Sequence, residues 1–273
     1  MKAVIQCVPV EAIAGHARAL SPGVRDHAIP GSLTVATILV RYTRDVEAPR
    51  SPRRGWFITV EGPDGAGKTT QARGLATHLG ERGMDVLLTR EPGGTRLGER
   101  VRELLMARTE STASADPLTD AFLFNAARRQ HVVELLRPAL AAGRTVVCAR
   151  YGDSTLAYQG YGAGVPLDRL RDLEAVATDG LLPDLTILLD LPVEAGLKRK
   201  APGDVTRFEA EFDLAFHRRV RDGFLALAKA APDRFEVIDA TRSPEEVATG
   251  VNSVADRLVA SGEPKLFATR TTG

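Results

Sequence analysis

The segment Gly62-Pro-Asp-Gly-Ala-Gly-Lys-Thr69 decides more about this fold than any other part of the sequence. It fits the pattern G-x4-G-K-[ST], in which glycines let a loop curl until its backbone N–H groups point at phosphate oxygens. Such a loop joins a buried strand to the start of a helix, whose positive end also attracts phosphate. The apolar run Trp56–Glu61 and the helical stretch Lys68–Arg82 supply that context. The sequence therefore predicts that the chain binds a nucleoside triphosphate.

Within this loop, Lys68 is expected to reach the β- and γ-phosphates, and the Thr69 hydroxyl is expected to bind Mg²⁺. The residues predicted to contact the nucleotide are Gly62, Pro63, Asp64, Gly65, Ala66, Gly67, Lys68, Thr69 and Thr70.

Strand and helix patterns alternate from Trp56 onward. Short apolar runs predict strands at 56–61, 85–89, 144–149, 185–189 and 235–238. Helical patterns cover 68–82, 97–107, 116–142, 209–231 and 244–259, and Pro138 is expected to bend the third of these. Strands separated by helices are typical of βαβ units. The predicted fold is α/β, with a doubly wound, parallel five-stranded sheet flanked by helices.

The domain predicted from these patterns spans residues 56–260, and a short lid is expected at about 196–209. Residues 1–55 contain short apolar pieces broken by prolines. They are interpreted as a poorly ordered extension or as the product of a start codon assigned too early. Residues 261–273 are predicted to be a flexible tail.

Charge and cysteine content exclude several classes of protein. The 36 basic side chains nearly balance the 35 acidic ones, so no nucleic-acid-binding face is expected. No apolar run approaches the ~18 residues of a membrane helix. The two cysteines, Cys7 and Cys148, are too few for a disulfide framework. The cytoplasm is the predicted location.

Neighbouring residues separate the classes of protein that share this loop. The chain has no Asn-Lys-x-Asp motif for guanine, which a GTPase should have. The apolar strand Thr186-Ile-Leu-Leu-Asp190 lacks the following Glu of a typical ATPase, because Leu191 stands there. A partition-type ATPase would carry a second lysine early in the loop, but Pro63 and Asp64 occupy those positions. A small kinase acting on a nucleotide or a similar acceptor remains.

Four segments then show a family resemblance, in order: Glu61-Gly-Pro-Asp-Gly-Ala-Gly-Lys-Thr-Thr70, Arg90-Glu-Pro-Gly-Gly-Thr95, Phe124-Asn-Ala-Ala-Arg128 and Arg150-Tyr-Gly-Asp-Ser-Thr-Leu-Ala-Tyr-Gln159. Together they resemble the thymidylate (dTMP) kinases, and the likeness covers about three quarters of the chain. The resemblance implies ATP- and Mg²⁺-dependent phosphorylation of dTMP to dTDP, for dTTP synthesis, usually by a homodimer. A kinase for another pyrimidine monophosphate, such as dUMP, stays open as an alternative.

Phe124 and Arg128 are four residues apart, so they share one face of a helix. The resemblance implies that Phe124 stacks on thymine and that Arg128 contacts the polar edge of the base. From the residues alone, an alternative is that Phe124 packs in the core with Phe122 and Leu123 while Arg128 is solvated.

The resemblance assigns further substrate contacts. Arg102 and Arg150 match arginines that hold the acceptor phosphate, although either could instead be a surface residue. Asp64 matches an acid that reaches the sugar 3′-hydroxyl or the metal, so Thr69 and Asp64 are the predicted metal ligands. Thr155, Tyr158 and Gln159 match positions that line the thymine pocket, and Thr155 replaces the more usual serine.

One position departs from the family pattern. An acid usually precedes the Arg-Tyr pair after the third strand, and this chain has Ala149 there. That carboxylate organises Mg²⁺ or its waters. Either Asp64, Glu61 or Asp153 compensates, or the enzyme is slow, or the chain is a nucleotide-binding or regulatory protein that has lost its metal chemistry.

The lid resembles the bacterial type. Gly65 stands where eukaryotic-type members carry an arginine, so the arginine that stabilises the transition state is expected from the basic segment around 196–209. Arg207 is the first candidate and Arg199 the second. With Lys68 and Arg150 they complete the predicted catalytic residues.

Overall fold

A computed structural model describes residues 54–106, 116–199, 212–262 and 264. The chain divides into two units, Met1–Arg50 and Ser51–Gly273, and every described residue belongs to the second unit. The predicted lid arginine Arg207 and most of the predicted tail lie outside the described residues.

The described strands form one parallel five-stranded sheet, in the order β2-β3-β1-β4-β5. Their bounds are β1 Phe57–Glu61, β2 Val86–Arg90, β3 Thr145–Ala149, β4 Leu185–Asp190 and β5 Phe235–Asp239. Each lies within one residue of its predicted position at either end. The predicted fold class is therefore confirmed.

Helices connect these strands and cover both faces of the sheet. In chain order they are α1 Lys68–Glu81, α2 Arg96–Met106, α3 Pro117–His131, α4 Arg137–Ala141, α5 Gly152–Thr155, α6 Leu167–Thr178, α7 Val193–Lys198, α8 Leu214–Ala230 and α9 Pro244–Ala260. Two π-helical stretches, Val132–Leu136 and Leu156–Gly162, continue α3 and α5. In the part of the chain that the structure describes, no helix combines the length and the apolar character that crossing a membrane requires.

The apolar runs become strands because both faces of the sheet are covered. Every residue of β1 and β3 is buried, whereas the edge strands β2 and β5 are only partly so. One core cluster joins Ile58, Val60 and Val147 to α1 and α9. Side chains of the opposite face pack with the α3 to α4 region. This two-sided burial explains why the strands show no alternation of polar and apolar residues.

The predicted bend near Pro138 takes the form of a π-helical stretch. Proline has no backbone N–H, so the regular ladder cannot continue through it. Just before it, the N–H of Arg137 donates to the carbonyl of Val132, five residues back. The helix is wider by one residue there and then resumes as α4.

Candidate active site

The phosphate-binding loop lies between β1 and α1, as the sequence predicts. Gly65 and Gly67 have φ of 77° and 87°, in the left-handed region that favours glycine. A Cβ at Gly65 would lie 1.9 Å from the carbonyl oxygen of Gly196 on α7, so no larger residue fits there. The Lys68 ammonium donates to the carbonyls of Gly62 and Pro63 at 2.9 and 2.7 Å.

A cavity of about 530 Å³ opens beside this loop. The loop residues that line it are Asp64, Gly65, Gly67, Lys68, Thr69 and Thr70. Of the other predicted nucleotide contacts, Pro63 supplies a carbonyl to Lys68 and Ala66 is buried in the core. The side chains of Thr69 and Thr70 are exposed at the start of α1, where the helix dipole favours an anion.

Asp64 is bound on both carboxylate oxygens. Arg150 donates to Asp64 Oδ1 at 2.5 Å, and the Tyr158 hydroxyl donates to Asp64 Oδ2 at 2.7 Å. Burial raises the pKa of the Tyr158 phenol well above its ordinary value, so this hydroxyl keeps the proton that it donates. The three side chains connect the phosphate-binding loop, the end of β3 and the second π-helical stretch across the cavity.

Arg150 follows β3 directly, and its backbone has φ of 69°. A non-glycine residue in this region is strained, so the surrounding contacts must hold it there. The Arg150 N–H donates to the Val60 carbonyl at 3.0 Å. The next N–H, of Tyr151, donates to Glu61 Oε1 at 2.6 Å. The neighbouring strand β1 thus fixes the backbone on both sides of this arginine.

Glu61 is completely buried at the end of β1. Its second oxygen accepts from the Ser154 hydroxyl at 2.6 Å, and Ser154 in turn accepts from Arg150 at 3.2 Å. Burial, together with the nearby charge of Asp153, raises the pKa of the Glu61 carboxyl to about 7. Glu61 therefore supports Arg150 through hydrogen bonds to its two neighbours.

The side of the cavity assigned to the base is lined by Phe124, Arg128, Thr155 and Gln159. Phe124 is half-buried and borders the cavity, whereas Phe122 is 56% exposed, so the two rings do not share a core. Arg128 is only 1% exposed, which differs from the solvated alternative.

Four hydrogen bonds fix the Arg128 guanidinium. Nε donates to Glu91 at 2.8 Å and Nη1 donates to Asn125 at 2.9 Å. Nη2 donates to the Tyr151 carbonyl at 3.1 Å and to the Thr155 hydroxyl at 3.0 Å. A guanidinium has five N–H groups, so these four bonds leave one Nη1 hydrogen over, on a side chain that lines the cavity.

Arg102 reaches the same cavity from α2. It is partly buried, and its Nη1 donates to the Pro92 carbonyl at 3.2 Å. Arg102 and Arg150 thus both line this cavity with positive charge. The predicted role of the two arginines in holding the acceptor phosphate requires this.

Arg199, by contrast, does not line the cavity. Its guanidinium donates to the Ala240 carbonyl at 2.8 Å and to the Thr241 carbonyl at 3.4 Å, beyond the end of β5. Its catalytic role stays a prediction, as does that of Arg207.

Ala149 packs in the core cluster that also contains Val60 and Ala66. Of the three acids considered as replacements, Glu61 is bound by Tyr151 and Ser154, and Asp153 is bound by both terminal nitrogens of Arg234 at 2.7 and 2.9 Å. Asp64 is the one of the three that lines the cavity.

The described residues contain no group of three His, Cys, Asp or Glu side chains arranged to hold a metal ion. Mg²⁺ keeps several waters in proteins and uses one or two protein oxygens together with substrate phosphates. The Thr69 hydroxyl and the Asp64 carboxylate, at one cavity, are a suitable oxygen donor set.

Sequence reasoning gave no role to Glu91 or His131. Glu91 stands inside the recognised Arg-Glu-Pro-Gly-Gly segment, and His131 follows Arg128 by three positions on α3. Residues 124, 128 and 131 recur on one helix face, and this periodicity is the signal that could have found His131.

A phosphate-binding loop at the end of the central strand of a parallel sheet, with arginines facing it, defines a P-loop nucleotide kinase. The family model for thymidylate kinase matches residues 60–251. The chain belongs to the thymidylate kinase family.

Named relatives agree with this assignment. A thymidylate kinase of Thermomicrobium roseum is 52% identical over 209 residues, which is 76% of this chain and 97% of the relative. One from Deinococcus radiodurans is 53% identical over 195 residues, covering 71% and 93%. The crystal structure of a thymidylate kinase from Ehrlichia chaffeensis superimposes with a TM-score of 0.59 at 36% identity, covering 76% of this chain and 99% of that one.

Proposed function

We propose that this chain transfers the γ-phosphoryl group of ATP to dTMP, giving ADP and dTDP for dTTP synthesis. One observation carries the proposal: Lys68 and Thr69 of the phosphate-binding loop line the same cavity as Phe124 and Arg128, and Arg150 lies on that cavity too. A donor nucleotide and a pyrimidine monophosphate can therefore meet in one site.

Phe124 offers an aromatic face for the base. The remaining Arg128 N–H offers a donor for a carbonyl oxygen on the edge of the base. Thymine carries such an oxygen, whereas cytosine has an amino group at the corresponding position. The fixed guanidinium thus favours dTMP over dCMP, because a mismatched pair would leave buried donors facing each other.

The reaction needs positioning and charge stabilisation more than covalent catalysis. An oxygen of the dTMP phosphate attacks the γ-phosphorus, and this oxygen is already ionised at neutral pH, so no side-chain base is required. Arg102 and Arg150 hold the acceptor phosphate, and Lys68 neutralises charge on the transferred group.

Mg²⁺, held by Thr69 and Asp64 together with the phosphates of ATP, would neutralise further charge there. Arg207 is the proposed lid arginine, with Arg199 as the second candidate. A cytoplasmic location and the absence of nucleic-acid partners stay predictions from composition.

A homodimer is part of this proposal. Leu97 and Leu104 on α2 are 51% and 50% exposed, and Phe122 on the adjacent helix α3 is 56% exposed. Large apolar side chains grouped on neighbouring helices are typical of a protein–protein interface.

The test is a coupled assay of ADP release with ATP, Mg²⁺ and dTMP, on the natural chain beside Ala149→Asp. The natural chain is expected to turn over dTMP, with a change of only about threefold in the variant, since Asp64 already supplies a carboxylate to the cavity. Because Ala149 lies in an apolar cluster, circular dichroism first checks that the variant folds. A silent natural chain with an active variant would indicate a binding protein that lost its metal chemistry. Inactivity of both on dTMP, with turnover of dUMP or dCMP, would move the assignment to another acceptor.

A further inference from the structure

We propose that His131 is a positioning residue for the base site. It acts through Glu91 to hold the Arg128 guanidinium where it can donate a hydrogen bond to the base. The inference rests on the proposed function, because it assigns to His131 a share in the recognition of dTMP.

A continuous hydrogen-bonded chain connects the two residues. Arg128 Nε meets Glu91 Oε2 at 2.8 Å, and Glu91 Oε1 meets His131 Nδ1 at 3.0 Å. At the far end, His131 Nε2 lies 2.8 Å from the Thr89 hydroxyl of β2. His131 is fully buried, while Glu91 and Thr89 are 5% and 8% exposed, so water does not compete for these groups.

The chemistry of these groups gives the chain a direction. An ionised carboxylate only accepts hydrogen bonds, so the hydrogen between His131 and Glu91 is assigned to Nδ1. The Nε2 of a neutral imidazole then accepts from the Thr89 hydroxyl. Each oxygen of Glu91 consequently has its own donor, one from Arg128 and one from His131.

Packing holds the imidazole ring in this place. Gly94 has φ of 77°, and a Cβ there would lie 2.7 Å from both His131 Nε2 and Thr89 Oγ1. The loop after β2 therefore closes directly over the ring. The same loop presents the Pro92 carbonyl to Arg102, so the base site and the phosphate site share one support.

Without His131, one carboxylate oxygen of Glu91 would lose its donor. A buried carboxylate oxygen without a donor is costly, and the nearest cation is Arg128. Both oxygens of Glu91 would then compete for the guanidinium and turn it away from Asn125 and Thr155. The remaining Nη1 N–H, which the proposed function assigns to the base, would be displaced with it.

The experiment compares His131→Leu, which removes both hydrogen bonds, with His131→Asn, whose amide nitrogen takes the place of Nδ1. The matched control is His78→Leu on α1, where another histidine contacts a carboxylate, Asp256, at 3.0 Å. KM and kcat are measured for dTMP, for ATP and for 5-methyl-dCMP, which differs from dTMP at the base edge.

His131→Leu is expected to raise the KM for dTMP about tenfold and to leave the KM for ATP within about twofold. It is also expected to lower the preference for dTMP over 5-methyl-dCMP. His131→Asn is expected to restore most of both losses, and His78→Leu to change neither. A purely structural role would reduce kcat for both acceptors and leave the preference between them intact.

Several results would overturn the inference: an unchanged KM for dTMP in His131→Leu, an equal rise in the KM for ATP, or His131→Asn behaving like His131→Leu. If His131→Leu does not fold, Thr89→Val tests the far end of the chain with little change in shape. A KM for dTMP equal to that of the natural chain in Thr89→Val would then overturn it. The natural chain is assayed first, because its failure to use dTMP would reject the proposed function itself.

Discussion

Single buried side chains set the electrostatics of this site. Glu61 has both carboxylate oxygens committed to the backbone and side chain beside Arg150, in a position without solvent. A buried carboxyl with a raised pKa destabilises the fold once it ionises. This residue therefore links the stability of the protein to pH near neutrality.

Replacing Glu61 by Gln is expected to remove part of the pH dependence of unfolding. The pKa of Glu61 is raised from 4.5 to about 7, so its favourable contribution is complete below 4.5 and is lost as pH rises to about 7. A shift of this size corresponds to about 3 kcal/mol. The free energy of unfolding, measured by urea denaturation across that range, should fall less steeply in Glu61→Gln than in the natural chain. Parallel profiles would contradict the prediction.

Sequence reasoning found most residues of the site but few of their partners. Asp64, Arg150 and Tyr158 were each assigned to substrate, and the structure joins them in one hydrogen-bonded group. These hydrogen bonds depend on how three distant segments pack together. A local pattern of residues carries no information about that packing. Glu91 escaped for the same reason, since its partners Arg128 and His131 lie on another element.

At the scale of elements, strand positions were predictable because the central strands are short, mostly apolar runs, and Gly55 and Gly62 bound the first of them. The π-helical stretch Leu156–Gly162 was not predictable from the sequence. Gly162 is so close to α8 that a Cβ would lie 2.7 Å from Phe216, and this packing is set by tertiary structure. The widened helix buries Tyr158 and Gln159, although they are adjacent in sequence.

Helix α3 carries Phe124, Arg128 and His131, and Asp116 caps its first turn. The Asp116 carboxylate accepts from the N–H groups of Leu118 and Thr119, both at 3.0 Å. Asp116→Ala is expected to lower the free energy of unfolding by about 1 kcal/mol, because two helix N–H groups lose their acceptor. Asp116→Asn, which keeps an oxygen there, is the control and should stay close to the natural chain. Urea denaturation measures both, and equal loss in the two variants would reject the cap as the cause.

At the scale of the whole molecule, the sequence patterns predicted a parallel five-stranded sheet but not the order of its strands. That order depends on which strands pair, and the paired residues are far apart in sequence. One long-range contact was not foreseen. Arg54 donates to Asp184 at 2.8 and 2.5 Å across 130 positions, and Asp184 also accepts from the Phe57 N–H. Arg54 falls in the predicted extension because it ends the basic, proline-containing segment Arg50-Ser-Pro-Arg-Arg54.

The proposed dimer makes a prediction at this scale. Leu97 and Leu104 are two helical turns apart and so lie on one face of α2. Leu104→Glu is expected to shift the protein towards monomer, because a charge buried in an apolar interface is strongly unfavourable. The control is Val237→Glu on the edge strand β5, where the native side chain is 48% exposed. Sedimentation velocity distinguishes the two states, and a dimeric Leu104→Glu would exclude this face.

The left-handed backbone of Arg150 has a consequence for engineering this enzyme. Ranked by backbone preference alone, glycine is the best residue at φ of 69°, and arginine is among the poor choices. A stability-guided redesign would therefore discard the side chain that faces both the cavity and Asp64. Variant libraries selected for thermal stability and libraries selected for turnover should therefore favour different residues at position 150. The codon for Arg150 is best kept unchanged in both.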